Sequence, residues 1–461
     1  MHGVAPLAAS VRRGPVFTII ALALMMMSID ATIVATALHA IQQGLGTTIN
    51  WAGWTITAYG FGFLLIVPVS GVLCERYGQR RVFLVSVMAF TLASLCCALA
   101  HSIGVLIALR VVQAAGGAGF TPSATGIVVD HFGVERDRYV ALFGSIFPIG
   151  VVLGPVFGAL FVSYLDWRWV FIINVPIGLT VLAFAWRLIP RDVVRHRRHE
   201  PLDGLGMALL GVGLTAGMFA ISDLGERSVG WASPLVWIAA AVAALALWAF
   251  FRRLSHTACP FIAPQLIYGR GFLAVNLLNV IYGGAIACVG TLVPLYAINR
   301  YRMDTLDSGT LLVAQGVAAV VASFAAAMTI RRTGYRWPIY AGGAVVVVGT
   351  ALLALAPPFG LSPYLWLAVV CFLLGLGGGT LNPASRNAGL QLAPEHSATL
   401  TALRSMSQSL GSIAMISIVT AALASSPQPG ATQGWVYVGG ACALLLLLPL
   451  THRIPEHRGA W

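Results

Sequence analysis

Two ionisable residues stand inside long apolar runs. Asp30 follows Met25, Met26, Met27, Ser28 and Ile29 and precedes Ala31, Thr32, Ile33 and Val34, and Arg110 sits in Leu109-Arg110-Val111-Val112-Gln113. An apolar surrounding pushes a carboxylic acid toward its neutral form, and a nearby cation pulls it back to the anion. Asp30 is therefore a candidate proton carrier and Arg110 a candidate group that modulates it. Arg110 and Gln113 are three residues apart and share one face of a helix. A structural hydrogen bond for Asp30, and a static ion pair or carbonyl clamp for Arg110, remain open alternatives.

Two further patterns carry no reacting group but bear on movement. The segment Gly71-Val-Leu-Cys-Glu75-Arg76-Tyr-Gly78-Gln-Arg80-Arg81 is expected to be a tight loop. Gly78 supplies a turn, and Glu75 and the arginines can pair or cap a helix end. Such a loop can latch one conformation; as a plain alternative it is a turn plus an orientation signal. The segment Gly150 to Ala159 has glycines at 150, 154 and 158, on one helical face, and Pro155 among them. A proline inside a helix removes one backbone donor and tends to kink the rod. In a membrane the glycine face lets a second helix come close.

Other chemistries find no support. There is no phosphate-cradling GxxxxGK[ST] and no Ser/His/Asp or HExxH arrangement, so neither ATP hydrolysis nor another enzyme activity is expected. The seven cysteines, at 74, 96, 97, 259, 288, 371 and 442, lack CxxC spacing. The ten histidines are scattered, with His196 and His199 in a basic, solvated stretch. No metal and no cofactor is expected. Gly377 to Gly379 reads as close helix packing rather than a nucleotide loop.

These residues must be held by the elements the composition dictates. Of 461 residues 58% are hydrophobic and only 9% are charged, against about 25% charged in a soluble protein. That pattern is a polytopic, all-helical membrane protein. The net charge of +12 comes from 27 basic against 15 acidic residues, and since lysine is absent every one of the 27 is arginine. The arginines are scattered over short polar stretches, which argues for an orientation signal and against a nucleic-acid partner.

Apolar runs place spans near 16–38, 53–73, 82–100, 104–128, 139–163, 169–189, 204–222, 231–251, 272–298, 308–330, 337–357, 364–388, 399–424 and 434–451, fourteen in all. The first is too long for a signal peptide and is read as a retained span. With both ends inside, the inner segments hold Arg12, Arg13, Arg76, Arg80, Arg81, Arg136, Arg138, Arg187 to Arg198, Arg252, Arg253, Arg270, Arg331, Arg332, Arg336, Arg453 and Arg458. The outer ones hold only Arg168, Arg227, Arg300 and Arg302. This satisfies the positive-inside rule for a cytoplasmic membrane. Trp51, Trp54, Trp167 and Trp169 read as interfacial anchors at span ends.

The chain also repeats itself. Arg76-Tyr-Gly78-Gln-Arg80 matches Arg332-Thr-Gly334-Tyr-Arg336 at an offset of 332 − 76 = 256, and the segment around Pro122 matches that around Pro383 at 383 − 122 = 261. Two six-span halves are expected, 16–189 and 272–451, with a linker region of two extra spans over 190–271 and cytoplasmic tails over 1–15 and 452–461. Repeated halves with a site between them are the usual build of secondary transporters. Under these offsets Arg110 falls on Cys371 and Glu75 on Arg331, and the glycine–proline pattern has no clear copy, although Gly411 lies near.

Together these motifs resemble the major facilitator superfamily, in its fourteen-span drug:proton antiporter branch. Ser28 to Val34 is similar to the branch's first-span motif, with Ala35 and His39 where asparagine and proline are usual. Gly71 to Arg81 resembles the inner-loop gating motif, with Glu75 for aspartate. Arg110 to Gly116 resembles the fourth-span motif implicated in proton transfer, with Ala114 for glycine. Gly150 to Ala159 resembles the fifth-span motif of antiporters, and Trp167 to Gly178 the sixth-span signature. The resemblance implies a proton-coupled antiporter that exports amphipathic drugs by alternating access, with Asp30, Arg110 and Gln113 in proton coupling, the Gly71–Arg81 segment in gating and Gly150, Gly154, Pro155 and Gly158 in state exchange. Its partners would be protons, an amphipathic small molecule and the bilayer; a periplasmic adaptor has no sequence support. Met25 to Met27 could line the cavity or pack within the helices, and Asp304 and Asp307 lie before the tenth span rather than in it. The nearer alternative is an exporter of one endogenous metabolite such as an antibiotic, siderophore or fatty acid; the farther is a non-transporting receptor or enzyme.

Overall fold

The computed structural model describes residues 12–192, 203–224, 233–257, 260, 262–269, 271–358, 360–424, 426–454 and 456. The basic stretch with His196 and His199, and Arg227, Arg270 and Arg458, lie outside the described residues. Apolar sequence without water to satisfy its backbone has to close its hydrogen bonds within each segment, and the described residues form helices and no strand. In order these are α1 (Arg13–Gly44), α2 (Ile49–Tyr77), α3 (Gln79–Ala98), α4 (Ile103–Gly117), α5 (Phe120–His131), α6 (Arg136–Tyr164), α7 (Trp169–Ile172), α8 (Asn174–Leu188) and α9 (Gly204–Leu224). Then follow α10 (Pro234–His256), α11 (Pro264–Tyr268), α12 (Phe272–Leu278), α13 (Gly284–Tyr301), α14 (Thr305–Thr333), α15 (Arg336–Leu353), α16 (Pro363–Leu392), α17 (Ser397–Ala424) and α18 (Pro429–Leu447).

Among the described residues twelve helical segments are long and apolar enough to cross a membrane, two fewer than the fourteen expected. The two expected spans outside that count correspond to α9, whose described apolar part is Gly204–Ala220, and to α17.

α1 packs on α6 and α8, and α2 and α3 pack on α4; in the second half α14 and α15 pack on α16, α15 on α18 and α13 on α17. Across the middle, α6 packs on α14, and α17 on α2 and α5. The repeat explains this crossing. An offset of 256 carries 49–77 onto 305–333, which is α2 onto α14, and an offset of 261 carries 136 onto 397, the first residues of α6 and α17. The two cross-contacts, α6·α14 and α17·α2, are therefore equivalents of each other. The linker helices α9 and α10 pack together, and α9 also touches α2 and α17.

The repeat holds in fine detail at one place. Gly78 (φ 98°) and Gly334 (φ 71°) each make a turn between long helices in a backbone region that side chains resist. Gly78 alone separates α2 from α3, so the expected loop over Gly71 to Arg81 is a correction: Gly71 to Tyr77 is helix. After each glycine an acid from a distant segment receives the first free amides of the next helix. Asp192 accepts from the Arg80 and Arg81 amides at 2.7 and 3.1 Å. Glu456 accepts from those of Tyr335 and Arg336 at 2.8 and 3.2 Å.

Two other expectations change. Trp167 is buried, not interfacial; its indole fills the space that a Cβ on Gly44 would need. The glycine contact of α6 does have a counterpart, since 150 + 261 = 411 and Gly411 of α17 presses against the Val280 carbonyl and Gly284. The π-helical turn Asn279–Gly283, between α12 and α13, lies at that contact. Met26 and Met27 are buried in the first half's core.

Candidate functional site

Asp30 sits in the middle of α1, and its neighbours come from three other elements. Arg110 and Gln113 lie one turn apart on α4, Ser94 on α3 and Asn174 at the start of α8. α4 and α3 pack together, and α8 packs on both α1 and α3, so Arg110, Gln113 and Asn174 converge on one carboxylate while Ser94 stands behind Gln113 and Asn174. Arg110 Nη1 donates to Asp30 Oδ2 at 2.7 Å. Gln113 Nε2 and Asn174 Nδ2 both donate to Asp30 Oδ1 at 2.8 Å.

A second set of contacts fixes those donors. Arg110 Nη1 also reaches Gln113 Oε1 at 2.7 Å, and Gln113 Nε2 reaches Ser94 Oγ at 2.7 Å. Arg110 Nε donates to the Thr55 carbonyl of α2 at 3.3 Å, and the guanidinium lies 4.2 Å from the Tyr59 ring centroid. Asp30 and Gln113 are 0% exposed and Arg110 1%. A buried ion pair is tolerable only when its remaining donors and acceptors are satisfied, and here both carboxylate oxygens are. The pair is shut off from solvent.

The spacing of Arg110 and Gln113 had placed both on one face, and both meet Asp30. Ser94, Asn174 and Tyr59 were not singled out. A serine, an asparagine or a tyrosine in a span is common, and only the packing of α3, α8 and α2 against α1 selects these three.

The glycine face of α6 lies against the same helix α1. A Cβ on Gly150 would collide with Ser28 Oγ, one on Gly154 with Thr32 Oγ1, and one on Gly158 with Thr36 Oγ1. Ser28 Oγ donates to the Phe147 carbonyl of α6 at 2.9 Å. Ser28 and Thr32 flank Asp30 by two residues on either side. α6 runs unbroken through Pro148 and Pro155, and Pro155 is exposed, away from α1.

The residues of the Gly71–Arg81 segment form a separate group. A Cβ on Gly71 would press on the Thr399 and Ala402 region of α17 at 2.9 Å, so α2 and α17 touch backbone to backbone there. Glu75 Oε2 meets His396 Nδ1 at 3.0 Å and Glu75 Oε1 accepts from the Thr399 amide at 3.3 Å. Arg76 lies by the Tyr77 ring, Arg80 donates to the Trp186 carbonyl, and the Arg81 side chain is exposed. At the same end Asn387 Nδ2 donates to the Asp137 carbonyl and Gln391 Nε2 to Asp137 Oδ1, both at 3.0 Å. The two halves are thus tied together at the end that carries Glu75. Apart from this group, Phe61, Leu65 and residues of α9 and α10 line an apolar groove of about 640 Å³.

Among solved structures the fold is similar to a human organic anion transporter (TM-score 0.69, 15% identity, covering 95% of this chain and 99% of that one). It is also similar to a proton:xylose symporter (TM-score 0.69, 12% identity, 97% and 96%). In sequence the chain is 31% identical over 398 residues to a multidrug resistance protein B homolog of Mycobacterium tuberculosis, covering 85% of this chain and 72% of that protein. It is 29% identical to multidrug resistance protein 3 of Bacillus subtilis (85% and 75%) and 29% identical to the methylenomycin A resistance protein of Streptomyces coelicolor (94% and 90%). The sequence pattern of the Major Facilitator Superfamily matches residues 20–416, and the chain is a multi-pass membrane protein that belongs to this superfamily of transporters.

Proposed function

We propose that this protein exports amphipathic small molecules across the cytoplasmic membrane in exchange for protons. The observation that carries the reading is the buried Asp30–Arg110 pair, an acid and a base held together at mid-helix with both carboxylate oxygens engaged. A proton arriving at Asp30 removes the charge that Arg110 pairs with. Gln113 Oε1, already 2.7 Å from the same Nη1, keeps the guanidinium in place while the pair parts. α1 is then free to shift against α6 along the Ser28–Thr36 face. Protonation drives a change of state only if the two states bind the proton with different affinity, and breaking the pair in one state supplies that difference.

Several features support the rest of the reading. The arginine distribution favours a cytoplasmic location for both ends and for the Glu75 end, and on this reading α9 and α17 bring the count to fourteen spans, two six-span bundles and a two-span linker. Tied halves at the Glu75 end make this the inward-closed state. The Gly150–Ala159 segment, with its likeness to an antiporter motif, and relatives named for drug resistance favour export. Proteoliposomes with an imposed pH gradient test the proposal: ethidium and a panel of unrelated toxic compounds should move against the proton flow, and added substrate should release protons. A pH gradient that moves none of them defeats it.

A second reading, an exporter dedicated to one compound, is favoured by a relative that matches 94% of this chain and is named for resistance to a single antibiotic. Protection of cells against one chemical class alone, over the same panel, selects it.

A further inference from the structure

The second half holds two buried cations that no acid balances. Arg386 of α16 is 7% exposed and Arg404 of α17 is 8% exposed. Both lie roughly 10 Å, at 1.5 Å per helical residue, from the helix ends nearest Glu75. Among the described residues neither forms an ion pair, and their charges act on each other. Arg404 Nη2 donates to Asn382 Oδ1 at 2.9 Å, and Gln408 Nε2 donates to the same oxygen at 3.3 Å. Arg386 lies 5.7 Å from the Phe143 ring centroid, a contact across the two halves. Arg386 Nη1 and Arg404 Nε have no hydrogen-bond partner at all.

The acids on neighbouring elements are committed elsewhere. Asp30 is held by Arg110, Glu75 by His396 and the Thr399 amide, and Asp137 by Gln391 and Arg136. A guanidinium does not escape its charge by losing a proton. Two unpaired cations with orphaned donors, inside a span, are a large unmet cost, and it falls away when an anion enters. The amide of Asn382 accepts from two donors, so the site offers donors in excess. Asn382 and Gln408 are only partly buried, so the pair is reached past them. The repeat shows the pair belongs to this half alone: 386 − 261 = 125 and 404 − 261 = 143 give Thr125 and Phe143.

We infer that Arg386 and Arg404, with Asn382 and Gln408, form a binding subsite for the anionic group, a carboxylate or sulfonate, of an amphipathic export substrate. This rests on the export reading above and adds amphipathic acids, through a subsite of their own, to the substrates it covers. The apolar part of such a substrate would lie against Phe143 and the interface between the halves. The first half then handles the proton through Asp30, and the second half handles the substrate's charge.

The test is equilibrium binding of 2-naphthoate and its methyl ester to the purified full chain in detergent, with no proton gradient. The wild type should bind the acid at least about tenfold more tightly than the ester. Arg386→Gln and Arg404→Gln should each weaken the acid by about 10- to 100-fold, the range expected for charged hydrogen bonds, and leave the ester unchanged, which also shows that the variants fold. Arg404→Lys, which keeps the charge, should retain part of the preference. Equal binding of acid and ester, or unaltered acid binding in the glutamine variants, overturns the inference. So does a pair that responds to added phosphatidylglycerol or to inorganic phosphate but not to naphthoate, which assigns the site to a lipid headgroup or a free anion. Binding is read without a gradient, so loss of the anion preference with intact pH-driven efflux of ethidium sinks only this inference. Intact naphthoate binding with no gradient-driven transport sinks only the coupling.

Discussion

The Thr32 hydroxyl of α1 occupies the volume that a Cβ on Gly154 of α6 would take. Thr32 is two residues from Asp30, so the contact that allows α6 to approach α1 lies beside the acid proposed to carry the proton. A methyl group forced into a packed contact costs about 1–3 kcal/mol. Gly154→Ala is expected to lower thermal stability by an amount in that range and to slow exchange, and Gly154→Leu should stop coupled transport or let protons leak. Adding Thr32→Ala to Gly154→Ala should recover part of the loss, because it removes the colliding hydroxyl. Melting curves and pH-driven efflux of the two single variants and the double check this. Normal coupled transport by Gly154→Leu would return the glycine face to ordinary packing.

Asp30→Asn keeps the size of the side chain and removes both its charge and its ability to carry a proton. It should insert and fold, yet lose pH-driven efflux. Exchange of substrate down its own gradient should survive, since that needs state change without net proton transfer. Arg110→Ala is expected to be worse for folding, because removing one partner of a buried pair costs about 3–5 kcal/mol. Flux assays with and without a pH gradient separate the two. Full proton-driven efflux by Asp30→Asn removes the role assigned to this acid.

Why was so much of this arrangement legible in the residues, and where did it stop? Asp30, Arg110 and Gln113 were conspicuous because charge inside an apolar run is costly, and a cost of that kind usually finds a partner. The glycine spacing was legible because a four-residue period puts the three on one face. The partners Ser94, Asn174 and Asp192 were not, since nothing local marks which of many polar residues a distant helix will bring in. Arg386 and Arg404 were passed over for another reason. They fall inside the expected spans 364–388 and 399–424 but close to the span ends, where an arginine can reach a polar surface, and only the folded packing shows both buried. The Gly71–Arg81 stretch was taken for a loop because turn residues and charges cluster there, but a single glycine makes the turn.

The capping acids offer a prediction on stability alone. Asp192 and Glu456 each receive two amides in the first turn of a helix, where four donors otherwise lack partners. Loss of a capping side chain costs about 0.5–2 kcal/mol. Asp192→Ala and Glu456→Ala should each lower thermal stability within that range, and by similar amounts because the repeat gives them the same task. The double variant should show the sum, as the two sites lie in different halves and share no partner. Melting curves of the four proteins test this, and a null effect for either acid breaks the equivalence.

Glu75 joins the halves at one end through His396 and the Thr399 amide. Thr399 lies in the first turn of α17, where a carboxylate also gains from the helix dipole, by about 0.3–1 kcal/mol. Glu75→Gln keeps an acceptor but gives up the charge, so the tied state should lose a few-fold in population against the untied one. Spin labels on Val134→Cys and Arg332→Cys, exposed positions of the two halves, would report the change as a larger long-distance fraction. Glu75→Asp should fall between, because its shorter side chain keeps the charge but reaches less far. His396→Ala should shift the same distribution in the same direction as Glu75→Gln, and combining the two should add little, since each breaks one shared contact. Identical distance distributions for wild type and Glu75→Gln would show that α2 and α17 are held by the backbone contact at Gly71 alone.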